Sequence, residues 1–236
     1  MTSVAAELKF QASRSAGEVS ALVVRPDTAR WMMVLGHGAG AGMRHHFMED
    51  LAAALAAQDI ATLRYQFPYV EKRLSRPDPQ PVLLATVRSA VDAARGAADG
   101  LPLLAGGKSM GGRMTSLAAA KEALDGVKGI VFFGFPLHPP GAPAVERGEH
   151  LTRVSEPMLF MQGTRDKLAD LDLLRPILER LGARATLHVI EGADHSFEVL
   201  KRSGRTGGDV IEELAKATAA WAERVKQVTA EREGTA

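Results

Sequence analysis

The chain has 236 residues, 46% hydrophobic and 24% charged, with 29 Lys plus Arg against 28 Asp plus Glu for a formal net charge of +1. A chain of that size and balance can bury a core unaided, so disorder, collagen and coiled coil are excluded as the main architecture, and no whole-chain field draws in nucleic acid. Cysteine is absent, which removes disulfides, thiolate zinc sites and a cysteine nucleophile together.

Strand and helix signals alternate along the chain, the pattern of an α/β domain on a mainly parallel sheet. Residues 1–10 carry Glu7 and Lys9 and lack an apolar leader core, and no run of 18 apolar residues follows. The expectation is a soluble cytoplasmic protein without a membrane partner. Two short extended runs, 8–12 and 18–24, flank Ala16-Gly17 and read as an antiparallel hairpin at one sheet edge. Residues 31–35 form a continuous apolar run, as in a strand buried on both faces, and a helix is expected over 44–58. Strands at 60–65, 101–105, 129–133, 157–162 and 185–190 then alternate with helices at 79–98, 109–122 and 171–181. Val210, Leu214, Trp221, Val225 and Val228 mark a closing amphipathic helix, and a polar tail over 229–236 is expected to fray. The Pro- and Gly-rich stretches 67–79 and 135–148 read as loops or short helices, too short for a second domain, so one domain spans 1–236.

The strongest motif is Gly107-Lys108-Ser109-Met110-Gly111, which is G-x-S-x-G between an apolar strand and a helix. Glycines two before and two after the serine permit a sharp turn that lifts the hydroxyl above the sheet. Two other readings compete. Gly107-Lys108-Ser109 matches the end of a phosphate-binding loop, but that motif needs a glycine where Pro102 stands and a loop where Leu103 to Ala105 continue a strand. A plain glycine-rich turn with Ser109 as an N-cap is the other.

A serine nucleophile needs a base and an orienting carboxylate, supplied from later strand ends in the order serine, acid, histidine. Gly163-Thr164-Arg165-Asp166 follows one strand and Glu191-Gly192-Ala193-Asp194-His195 the next. Asp166 is the first choice of acid and Asp194 the second, because Asp194 sits beside the base rather than after the preceding strand. Gly36-His37-Gly38-Ala39-Gly40 follows the first parallel strand, where a backbone donor for an oxyanion belongs; Ala39 and Met110 are the assigned donors. The same glycines fit a relaxed dinucleotide fingerprint, which also wants an acidic residue at the end of the next strand; that place holds Arg64, Tyr65 and Gln66.

The ensemble GHGAG, GGKSMGGR, QGTRD and GADHSF resembles the α/β-hydrolase superfamily, in its small lidless branch of dienelactone-hydrolase-like and testis-expressed hydrolase-like proteins. The resemblance implies an α/β-hydrolase fold: a mostly parallel twisted sheet with an N-terminal antiparallel hairpin, helices on both faces and no lid domain. It also implies Ser109 as nucleophile, His195 as base and Asp166 as the acid that fixes the histidine tautomer. The nucleophile of dienelactone hydrolases proper is usually cysteine, which this chain lacks. The expected function is cleavage of an ester or related acyl bond of a small substrate through an acyl-enzyme, with no cofactor and no metal. A thioesterase, acyltransferase or peptidase using the same residues, and a scaffold protein on the same fold, are the alternatives. Around the site His37, Arg44, Phe67, Tyr69, Lys108, Phe135 and Leu137 are expected to contact substrate, the aromatic and aliphatic members as an apolar wall. Arg44, His45 and His46 tempt a metal reading, but adjacent residues at a helix start do not share a face.

Overall fold

The computed structural model describes residues 6–234, with side chains described through 227. Its strands are β1 (Ala6–Ser13), β2 (Gly17–Val24), β3 (Trp31–Gly36), β4 (Ile60–Tyr65), β5 (Leu103–Lys108), β6 (Val127–Phe133), β7 (Met158–Gly163) and β8 (Ala185–Ile190). They form one eight-stranded sheet in the order β1-β2-β4-β3-β5-β6-β7-β8. The hairpin β1-β2 joins β4 antiparallel, and every pairing from β4 through β3 to β8 is parallel.

The helices are α1 (His46–Ala56), α2 (Pro68–Glu71), α3 (Gln80–Ala98), α4 (Met110–Lys121), α5 (Leu171–Leu181) and α6 (Gly207–Gly234). Strand residues alternate between two faces with period two, so continuous apolar runs feed two cores at once. Met32 and Val34 of β3 belong to the core that α3, α4 and α5 cover on one face, while Trp31, Met33 and Leu35 belong to the core that α1 and α6 cover on the other. A parallel sheet covered on both sides is stable in water because neither face is left apolar and exposed.

Several boundaries move for identifiable reasons. β5 runs on through Gly106 and Gly107 to Lys108, paired with Gly36 of β3 on one side and Phe132 and Phe133 of β6 on the other. The glycines end no strand; they let neighbouring backbones approach. α1 starts at His46 rather than 44 because the His45 side chain caps it, accepting from the Phe47 N–H at 3.3 Å. α6 opens on a reciprocal cap, the Asp209 N–H to Thr206 Oγ1 and the Thr206 N–H to Asp209 Oδ2 at 2.7 Å. That helix continues to Gly234 through most of the stretch expected to fray; the side chain of Val228 and residues 235–236 lie outside the described residues. Between β6 and β7 the chain has only loop and a 3₁₀ helix (Glu146–Arg153), so no lid is inserted there.

Candidate active site

Ser109 stands alone between the last residue of β5 and the first of α4. Its backbone lies at φ 49°, ψ −113°, outside the favoured regions for a residue with a Cβ. What holds it there is the approach of two chains. A Cβ on Gly107 or on Gly111 would lie 2.2 Å from the carbonyl oxygen of Gly36, so any larger residue at either position collides with backbone. The Ser109 N–H donates to the Phe133 carbonyl at 3.1 Å and ties the turn to β6. The physical content of G-x-S-x-G in this chain is therefore a backbone crossing between β5, α4 and β3.

Two loops at the carboxyl ends of neighbouring strands meet the serine. His195, after β8, has Nε2 2.8 Å from Ser109 Oγ and Nδ1 2.7 Å from Asp166 Oδ2, after β7. A carboxylate only accepts, so Nδ1 carries the proton and Nε2 is left to accept from the serine hydroxyl. The Asp166 carboxylate is buried, 1% exposed against 22% for the His195 side chain. Its Oδ1 accepts the Leu168 N–H at 2.7 Å, and Oδ2 also accepts from the Gln162 amide. Gln162 in turn accepts the Phe135 N–H at 3.0 Å. This buried amide was not singled out in the sequence; its signal is a polar residue at the end of the otherwise apolar β7.

Asp194 does something different. Its Oδ1 accepts the N–H groups of Ser196 at 2.8 Å and Glu198 at 3.0 Å, so the side chain folds its own loop. It has no bond to the imidazole.

The 36–42 loop, where a backbone donor was expected, is held by its own set of hydrogen bonds. His37 is fully buried, its Nδ1 donating to the Gly38 carbonyl at 2.8 Å while Nε2 accepts the Phe67 N–H at 3.2 Å. Burial pushes its pKa down to about 4, so the neutral ring is the form that fits these bonds. Tyr69 Oη accepts the Gly40 N–H at 3.2 Å. Ala39 lines the cavity beside Ser109. Met110 opens α4, so its N–H is among the four that a helix start leaves without an intrahelical acceptor.

A cavity of about 390 Å³ opens over Ser109 and His195, walled by Ala39, Ala41, Phe47, Met48 and Leu168 and rimmed by His45, His46, Lys108 and Glu198. The pKa of His45 is lowered by partial burial, and then by His46 and Lys108 nearby. Several expected contact residues lie elsewhere. Phe67, Phe135 and Leu137 are wholly enclosed in the core under the site, since the chain turns inward after β4 and β6. Tyr69 and His37 support the 36–42 loop from below, outside the cavity wall. Arg44 points to solvent and pairs with Glu7 of β1. Lys108 does line the cavity, but its ammonium already donates to the His195 carbonyl at 2.6 Å. Among the described residues no group of three or more His, Asp or Glu is placed to hold a metal ion.

Residues 29–223 match the family model described as alpha/beta hydrolase domain, a stretch that holds the serine turn, the loops of Asp166 and His195 and the 36–42 loop. The chain belongs to the alpha/beta hydrolase family. The fold of this α/β hydrolase recurs in solved structures. A dienelactone hydrolase from Anabaena variabilis ATCC 29413 superposes with a TM-score of 0.70 at 21% identity, over 93% of this chain and 98% of its own. XC6422 from Xanthomonas campestris, an α/β serine hydrolase without a lid, gives 0.71 at 20% identity over 94% and 96%. The esterase domain of a Rhodothermus marinus protein gives 0.69 at 16% identity over 94% and 98%. At these identities the likeness is one of fold.

Proposed function

We propose that the protein is a serine hydrolase that cleaves a carboxylic ester, or a closely related acyl bond, of a small substrate through an acyl-enzyme on Ser109. The observation that carries the reading is the unbroken line from Asp166 through His195 to Ser109, with links of 2.7 and 2.8 Å. Likeness of fold to an esterase domain and to a lidless serine hydrolase is consistent with it.

The chemistry follows from the geometry. Ser109 Oγ adds to the substrate carbonyl carbon as its proton passes to His195 Nε2. Asp166 stabilises the imidazolium and keeps the ring oriented without taking the proton. The carbonyl oxygen, now an anion, is held by the N–H groups of Ala39 and Met110. Collapse expels the alcohol, which receives the proton from His195, and the acyl group stays on Ser109. A water then gives its proton to His195 and attacks the acyl carbon, and the carboxylic acid leaves as Ser109 recovers its hydrogen. The open cavity, without a lid, suits a short acyl chain, because a long one would leave apolar surface in water.

A fluorophosphonate probe tests the reading without knowledge of the substrate, since its tetrahedral adduct sets an oxygen where the oxyanion would lie. Mass spectrometry should find one adduct, on the peptide carrying Ser109, and none in Ser109→Ala. Folded protein at pH 8 with no adduct on that peptide would refute the hydrolase reading in favour of a scaffold role.

A further inference from the structure

Lys108 fills the first variable position of G-x-S-x-G, where its backbone ends β5 and precedes the nucleophile directly. Its ammonium spans to the loop after β8 and donates to the His195 carbonyl at 2.6 Å. It also lies 5.7 Å from the ring centroid of Phe47 on α1 and 5.4 Å from that of Phe197 on the histidine loop. Those two rings are stacked at 5.8 Å with 15° between their planes. One cation thus meets the backbone of His195, a ring of that same loop and a ring of α1. The loop it grips is under strain, because Phe197 sits at φ 65°, in the left-handed region that a bulky side chain disfavours.

We infer that the Lys108 ammonium is a latch that holds the His195 loop on the nucleophile turn, so that Lys108 is a positioning residue for the base. The inference rests on the proposed roles of Ser109 and His195. It departs from the expectation that Lys108 contacts substrate, since the head group is already engaged by protein atoms. A carbonyl bonded by a cation and a ring facing a cation both lose attraction when the cation loses its proton.

Burial pulls the Lys108 pKa down to about 8, and the carboxylates of Asp166 and Asp194 oppose the drop. The groups around it are those two carboxylates, the His195 carbonyl, the two phenyl rings and His45, whose own pKa Lys108 lowers. Raising the pH through about 8 should therefore release the latch. The same change does not weaken the fold through this group. The unfolded lysine, with a pKa of 10.5, binds more protons than the folded one between about 8 and 10.5, so the contribution of Lys108 to stability rises with pH in that window. Activity and stability move in opposite directions there, which a merely structural lysine would not produce.

The test measures the second-order rate of fluorophosphonate labelling at Ser109, and kcat and KM for p-nitrophenyl acetate, from pH 6 to 10 in the wild type, Lys108→Met and Lys108→Arg. In the wild type the labelling rate should fall as the pH rises through about 8 while the melting temperature does not fall. Lys108→Met should lose about 10- to 100-fold in labelling rate and kcat with KM little changed, the scale set by misplacing a catalytic group by about 1 Å. Its alkaline fall should be gone. Lys108→Arg keeps a cation at every pH used, so it should restore part of the rate and also lack the fall. Labelling rates and pH profiles that superpose for wild type and Lys108→Met overturn the latch while leaving the hydrolase reading intact. If Lys108→Met does not fold, a wild-type rate with no fall up to pH 10 overturns the latch by itself. A wild type that is not labelled at all overturns the hydrolase reading, and the latch with it.

Discussion

At the scale of single residues, the two neighbouring acids are separated by what their oxygens already accept. Asp166 holds the imidazole, whereas Asp194 is occupied by two N–H groups of its own loop. Asp166→Asn should reduce kcat by about 10³- to 10⁴-fold, because an amide can present an N–H to Nδ1 and leave the wrong tautomer facing the serine. Asp194→Asn keeps an oxygen for the loop and should cost less than about tenfold, for Asx turns tolerate either residue. Steady-state kinetics on an activated short-chain ester decide between them; a larger loss in Asp194→Asn would name it as the acid. The hydrogen-bonded alignment of Ser109, His195 and Asp166 was legible in the sequence because each follows a strand end in a required order. Gln162 was not, since one amide at the end of an apolar strand looks like any buried polar residue until its two partners are seen. Phe67, Phe135 and Leu137 were misplaced for the converse reason: position after a strand says which end of the sheet a residue is near, not whether its side chain turns up to the cavity or down into the core.

At the scale of elements, the turn between β5 and α4 is shaped by contact with β3. Gly111→Ala would set a methyl 2.2 Å from the Gly36 carbonyl oxygen, and backbone on both sides cannot yield as a flexible side chain would. The expected cost is about 1–3 kcal/mol of stability or more, together with a displaced Ser109. Urea unfolding and probe labelling of the same sample would both show the loss; a variant with wild-type midpoint and labelling would contradict the crossing described here. The strands of the parallel sheet were legible as apolar runs because both faces are covered, and Leu171–Leu181 and Ala185–Ile190 fall where periodicity puts them. The extension of β5 was not, because Gly106 and Gly107 read as a turn in isolation and become strand only through their partners on β3 and β6.

At the scale of the whole molecule, two buried histidines contribute to the acid side of stability. His37 and His150 have pKa values pushed down to about 4 by burial, against 6.5 for the unfolded residue. His150 is bonded through Nε2 to Ser116 Oγ at 2.8 Å, with the charges of Arg113 and Arg153 adding to the shift. Between pH 6.5 and about 4 the unfolded chain binds more protons at both sites, so stability present above 6.5 drains away as the pH falls. Melting temperature should decline through that window, and His150→Gln, which can still bond Ser116 but does not titrate there, should decline less steeply. A wild-type melting temperature that is flat from pH 7 to 4 would contradict this.

Ser109 and His195 lie 86 positions apart and meet only through the strand at the far edge of the sheet. With the roles proposed for them, the nucleophile emerges during synthesis well before its base, and the nascent chain carries a serine with no acceptor for its proton. On that proposal the polypeptide is expected to stay chemically silent until β8 has been made and docked against β7. In a refolding experiment, the return of probe labelling should accordingly trail the return of helical signal, because the reacting pair is a long-range contact closed among the last.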